Sequence, residues 1–305
     1  MENFKFYLLY YSMGALSLLP WWVLYLLSDF FYVVIRIVGY RNSVILENLR
    51  YSFPEKSEKE IRKIRNKFYK HFADLFVEVI KLQTMSEKTF KKRMFFENID
   101  YPNKIYDQDR DILVAMGHYC NWEWVGAANL VLKHQGGAIY KPLKSKVFDR
   151  YMYTIRSNTD GSVFPMKTVF RDLLKMKRDG RRYIIGVIAD QTPAGGQIQH
   201  YTCFLNQRTP VHMGLEKMAV KFNDVVVYAR IEKVKRGYYK VTFIPLFENA
   251  KETEEYEVID TVMKYIEEDI RNKPELWLWS HRRWKHVKGS RVCGSDEKEK
   301  KDEQN

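Results

Sequence analysis

Three hydrophobic patterns follow one another along the 305 residues. The first is continuous. Phe6 to Ser28 carries no charged side chain, and the apolar character resumes from Phe30 to Ile35. That length suffices to span a bilayer. Pro20-Trp21-Trp22 marks a kink or an interface, where tryptophans concentrate. The competing reading is a core helix or a hairpin lying in the interface. The second pattern is helical. Ile61, Ile64, Phe68, Phe72, Leu75, Phe76, Val79 and Ile80 form a stripe with basic residues between, capped by Ser57 with Glu60 at the capping-box position. The third consists of short apolar runs that read as buried strands: Asp111 to Ala115, Ala138 to Leu143 and Tyr183 to Ala189. Val225 to Ile231 and Tyr238 to Ile244 read as a hairpin across Lys235-Arg236-Gly237. Helices are expected from Trp124 to Gln135 (stopped by Gly136-Gly137), Lys144 to Asn158 (closed by Asp160-Gly161), His212 to Phe222 and Thr253 to Asn272. The division that follows is an N-terminal membrane anchor over 1–40, a catalytic body over 41–290 and a charged, disordered tail over 291–305.

One stretch carries the chemistry. His118 and Glu123 lie where the Asp111–Ala115 strand gives way to a helix, a usual place for sites in α/β sheets. Five positions along a regular helix rotate a side chain by about 140°, so the two cannot share a helical face. They meet if His118 lies in the turn and Glu123 in the first helical turn, with Asn121 as N-cap. Glu123 then accepts from one ring nitrogen, and the other takes a proton from an attacking hydroxyl. A core histidine bonded to a nearby carboxylate is the plainer alternative. Metal ligation is not indicated, because HExxH and paired Cys/His motifs are absent, and no cofactor is called for. The chain also lacks G-x-S-x-G, which excludes the serine-hydrolase arrangement. Cys120, two residues past His118, offers a covalent alternative.

Charge narrows the partners. The formal net charge is +13, and Lys133 to Arg182 holds thirteen Lys or Arg against four Asp. Such a balance favours anionic partners: nucleic acid, an anionic membrane surface, a phosphorylated lipid or an acidic protein. Arg36, Arg41 and Arg50 follow the apolar span while Lys5 alone precedes it, which keeps the body on the cytoplasmic side. Cys120, Cys203 and Cys293 are odd in number and widely spaced. Neither a disulfide framework nor a zinc site is expected from them, and a reducing compartment fits.

Gly117-His-Tyr-Cys-Asn-Trp-Glu-Trp124 resembles the His-x4-Asp/Glu block of the glycerolipid acyltransferases. More narrowly it resembles the bacterial late acyltransferases of lipid A biosynthesis, where Cys120 stands in the place of a glycine. Further blocks occur in that family's order: Asn48-Leu49 with Phe53-Pro54-Glu55, Ala189-Asp190-Gln191 and Pro274 to Lys285 with Trp279, His281, Arg282 and Arg283. Thr202 to Pro210 is a looser match. The resemblance implies a three-layer α/β fold with a mostly parallel central sheet, preceded by an N-terminal membrane helix and a helical segment. It implies transfer of an acyl chain from an acidic acyl carrier protein to a hydroxyl of a lipid A precursor. The enzyme would be held at the bacterial inner membrane, facing the cytoplasm, and would have no nucleic-acid partner. By its place after the histidine block, Arg156 matches the family's substrate-contacting arginine, with Lys167 and Arg171 as fallbacks. Asp190 and Gln191 would orient substrate or an arginine, unless Asp190 only forms a turn. His281, Arg282 and Arg283 would buttress the site or bind phosphate. An acceptor on another phospholipid or glycolipid, and a non-catalytic protein binding anionic lipid, are the alternatives.

Overall fold

The computed structural model describes residues 1–157, 161–287 and 291–293. The Asp160 turn and residues 294–305 of the expected 291–305 tail lie outside the described residues, while Arg291 and Val292, expected in that tail, pair with Glu47 and Gln207 of the body.

The long apolar span is two helices. α1 (Glu2–Leu18) and α2 (Trp21–Val38) are separated at Pro20, whose ring cannot continue a helix, and α2 ends at Gly39 in the left-handed region. α3 (Asn42–Ser52) leads to α4 (Glu58–Lys81), where Ser57 and Glu60 form the expected capping box. α5 (Glu87–Arg93) runs directly into β1 (Met94–Glu97), and α6 (Asp100–Asp107) into β2 (Ile112–Met116). A 3₁₀ segment over Trp122–Leu130 precedes β3 (Gln135–Tyr140). Then come α7 (Lys146–Arg156), β4 (Ser162–Pro165), α8 (Val169–Arg178) and β5 (Tyr183–Ile188). β6 (His200–Phe204) and β7 (Gln207–Val211) form a separate antiparallel pair. α9 (Gly214–Phe222), β8 (Val225–Lys235), β9 (Tyr238–Phe247) and α10 (Glu257–Asn272) follow.

The central sheet has seven strands in the order β1-β9-β8-β2-β5-β3-β4. Every pairing is parallel except the β8–β9 hairpin. β2 is buried at all five positions, as a strand covered on both faces must be. The covering layers can be read from two tyrosines. Tyr228 pairs with Ile244, which places Tyr228 and Tyr239 on opposite faces of the hairpin. Tyr228 donates to Asp269 of α10 at 2.7 Å, and Tyr239 donates to Glu78 of α4 at 2.7 Å. The fold is thus helix, sheet, helix.

Three sequence expectations change. The segment after the histidine block is 3₁₀ rather than a helix running to Gln135, although Asn121 does cap it by accepting from the Trp124 amide. Gly136-Gly137 lie inside β3 rather than stopping a helix. A Cβ on Gly137 would sit 2.6 Å from the Phe164 ring and 2.8 Å from the Ser162 carbonyl, so close strand packing accounts for the glycine. Finally, Cys203 and Cys293 form a disulfide, where separate cysteines were expected. A sequence separation of 90 hid a contact made by folding: Val292 bridges to Gln207 and the Cys293 amide donates to Asn206 O, laying residues 291–293 beside β6 and β7.

Candidate active site

Parallel pairing alone builds the centre of the site. β2 and β5 are neighbours with Met116 opposite Ile188, so His118 and Asp190 each follow two residues beyond the same rung. His118 Nδ1 donates to Asp190 Oδ1 at 2.6 Å, and the His118 amide donates to Oδ2 at 2.8 Å. Trp277 Nε1 donates to Oδ2 as well, at 2.6 Å. Burial opposes ionisation of Asp190, but the His118 charge and these three bonds outweigh it and hold the carboxyl down at about 2. The carboxylate accepts at Nδ1, so the neutral imidazole keeps its lone pair on Nε2. Gln191 Nε2 lies 2.8 Å from that atom and donates to it. Trp122 stands edge-on to the ring at 5.2 Å.

The expected His118–Glu123 pair is therefore not formed: His118 makes no hydrogen bond to Glu123. The Glu123 carboxylate takes a bidentate pair from Arg156, Nε to Oε2 at 2.9 Å and Nη2 to Oε1 at 2.6 Å, with Trp122 Nε1 donating at 3.2 Å. Arg156, expected at a substrate phosphate, is paired with Glu123 and lines the cavity. Burial works against its charge, but Glu123 more than compensates and raises its pKa. The two pairs remain neighbours, because His118, Gln191, Glu123 and Arg156 all line one cavity of about 470 Å³. Val114, Met116, Val163, Phe170, Gly186 and Met218 give that cavity an apolar wall beneath the sheet ends. Lys141 also borders it. Two further residues of the basic middle are bound into the scaffold: Lys177 pairs with Asp111 and Asp224, and Arg182 with Asp109 and Asp111.

The C-terminal block closes over the histidine turn. Tyr119 bridges to Trp277, the Leu278 amide donates to His118 O at 3.1 Å, and the Cys120 amide donates to Leu276 O at 2.9 Å. Arg283 is fully buried. It donates to Pro210 O at 2.7 Å, and its charge is opposed by burial, which brings its pKa down to about 10 against the pull of Asp190. His281 is half-buried, and burial pushes it down to about 4. Arg282 is exposed. Sequence reading missed three contributors. Trp277 holds Asp190, while Asn48 donates to the carbonyls of Trp279 and His281 at 3.0 Å each, and Arg41 donates to Ser280 O at 2.8 Å. The signal available was the pairing of Asn48 with the Pro274–Lys285 block as two matched motifs far apart in the chain.

Cys120 has φ of 55° and is completely buried. That left-handed backbone explains why glycine suits the position. Burial drives the thiol far above its usual range, away from the thiolate a nucleophile needs. Cys120→Gly is expected to keep most of the activity and to change stability by no more than about 1 kcal/mol, because strain relief and lost burial oppose each other. A stable acyl adduct in intact-mass spectra of enzyme plus donor, absent from Cys120→Gly, would instead mark the thiol as nucleophile.

A histidine held by a buried carboxylate and opening on an apolar cavity is an arrangement able to accept a proton beside an apolar substrate. The chain belongs to the bacterial lipid A biosynthesis acyltransferase family, whose sequence profile matches residues 2–286. It is an acyltransferase. A search of curated proteins finds no match.

Proposed function

We propose that the protein transfers a fatty acyl chain from an acyl-carrier thioester to a hydroxyl of a lipid A precursor, with His118 as general base. The observation that carries this reading is His118 on the wall of the apolar cavity, held by the buried Asp190. The cavity takes the acyl chain and leaves the thioester carbonyl near the imidazole. The acceptor hydroxyl replaces the Gln191 amide at Nε2 and gives up its proton there as its oxygen attacks the carbonyl. Asp190 stabilises the imidazolium that results. When the tetrahedral intermediate collapses, the C–S bond breaks and His118 returns the proton to the departing thiolate. Glu123 and Arg156 act together as a fixed ion pair on the same wall, which keeps Arg156 directed at the cavity where a phosphorylated acceptor approaches.

The basic body suits both an acidic carrier and an anionic lipid. Attachment to the inner membrane through α1 and α2, with the body facing the cytoplasm, completes the proposal. A cytoplasmic body keeps Cys203 and Cys293 as thiols open to alkylation in intact cells, whereas a pair protected as the disulfide would place the body in an oxidising compartment. Differential alkylation in intact cells therefore belongs with the main test. That test is purified enzyme with an acyl-carrier donor and a lipid A precursor, read by mass spectrometry, alongside the lipid A of a deletion strain. Unchanged lipid A in the deletion strain, with transfer to phospholipid in the purified system, would reassign the acceptor.

A further inference from the structure

α2 is long and apolar enough to cross a bilayer, yet it does not stand clear of the body. It runs antiparallel to α4 and is matched to it rung by rung. Lys81 lies over the Trp21 ring, Tyr25 donates to Glu78 at 3.0 Å, Ser28 donates to Asp74 at 2.8 Å, and Asp29 pairs with Lys70. Arg236 of the β8–β9 turn ties Asp29 and Asp74 together. Gly237, at φ 71°, makes room for this approach: a Cβ there would lie 1.9 Å from the Tyr25 hydroxyl. α4 is a charged helix with Asp74 and Glu78 buried on its inner face, and it cannot sit in hydrocarbon. A helix strapped along its length meets a membrane side-on. The outward stripe of α2 is made for that contact: Trp22, Leu26, Phe30, Val33 and Ile37, between 48% and 80% exposed, at helical spacing. α1 adds Phe4, Leu8 and Tyr11.

On the flank of this stripe, between α2 and α4, lies a second cavity. Its α4 wall is a single helical face of Lys59, Arg62, Lys63, Asn66, Lys67 and Lys70, and Tyr32 of α2 closes it. No carboxylate is among its lining residues. Three cations answer carboxylates from outside it: Lys67 to Glu275 at 3.3 Å, Arg62 to Glu58 at 3.9 Å and Lys70 to Asp29. Lys59 and Lys63 form no ion pair among the described residues. A surplus of phosphate-binding donors thus sits beside an apolar surface, with a tyrosine between.

We propose that this cavity seats the phosphate of an anionic membrane phospholipid whose acyl tails lie against the α2 stripe. The proposal rests on the membrane attachment put forward above and deepens it into a headgroup site. An acidic protein would satisfy the lysines but would leave the adjoining apolar stripe in water. A phospholipid covers both.

The test is binding of full-length protein to phosphatidylcholine vesicles with and without phosphatidylglycerol. Wild type is expected to bind the anionic vesicles on the order of 100-fold more tightly, by the usual gain for about three basic residues at a surface. Lys59→Gln/Arg62→Gln/Lys63→Gln, all at exposed positions, should lose most of that gain and retain the thermal melt and the zwitterionic binding. The α8-side control Lys175→Gln/Arg178→Gln/Arg181→Gln, with the same charge change, should keep it. Equal loss in both variants overturns the site in favour of diffuse charge and leaves membrane attachment standing. No binding of wild type to either vesicle sinks the attachment itself. Inorganic phosphate bound by wild type and lost in the triple variant, while that variant keeps full anionic-vesicle binding, would make the cavity a free-phosphate site, against the proposal. A variant that keeps its anionic-vesicle binding but raises KM for a carrier-protein donor would assign the cavity to that protein.

Discussion

His118→Ala is expected to lower the rate of acyl transfer roughly 10²–10⁴-fold, the usual cost of removing a general base. The fold should survive the change. The histidine side chain lies at the cavity wall, while its backbone bonds to Asp190 and Leu278 remain available to alanine. The loss should fall on kcat, because Nε2 acts on a proton only as the tetrahedral intermediate forms. KM for the acyl donor should change little, since the apolar wall of Val114, Val163, Phe170 and Met218 is untouched. Steady-state assays with purified protein give both quantities. Near wild-type kcat in a correctly folded His118→Ala protein would remove the base from the mechanism and leave the cavity without its chemistry.

The sequence placed His118 at a strand end and Asp190 at another strand end, and both placements hold. What it did not contain was strand order. β2 and β5 are separated by 66 residues from Met116 to Tyr183, with β3, β4 and two helices between them. Only the sheet order makes them adjacent, and only their register brings positions 118 and 190 level. Local spacing offered a nearer carboxylate in Glu123, and that choice followed the assumption of a regular helix after Asn121. The segment is 3₁₀, and Trp124 in its first turn reaches inward, where it donates to Glu78 O at 3.2 Å and packs edge-on to Trp21, Phe90 and Tyr239. Tertiary packing overrode the local pattern. The same holds for Trp277, whose indole N–H finds Asp190 from 87 residues away. Patterns repeated locally were legible: the α4 stripe, the Ser57 capping box, the buried β2 and β5 runs and the β8–β9 hairpin. Contacts between elements distant in the chain were not, the Cys203–Cys293 pair included.

Asp190→Asn and Glu123→Gln should differ in the opposite sense from the one spacing alone suggests. Asp190 accepts three hydrogen bonds, from the His118 ring, the His118 amide and the Trp277 indole. Asparagine supplies one oxygen and turns an NH₂ group toward at least one of those donors. If the NH₂ faces Nδ1, the imidazole must accept there and carry its proton on Nε2, the atom that needs a lone pair. Either arrangement also removes the charge that stabilises the imidazolium. A loss of about 10²–10⁴-fold in kcat follows, comparable to removing the base. Glu123→Gln keeps an acceptor for Arg156 and leaves the His118 contacts intact, so its loss should be smaller and fall more on KM for the phosphorylated acceptor. Stability supplies a second readout. The folded Asp190 value, about 2, lies below the ordinary carboxylate value, so its ionised form stabilises the fold above about pH 4, and that contribution is lost as pH falls through about 2. The Asn variant should therefore melt lower than wild type at neutral pH, and the gap should close as pH falls toward 2. A severe kcat defect in Glu123→Gln beside a mild one in Asp190→Asn would return the orienting role to Glu123.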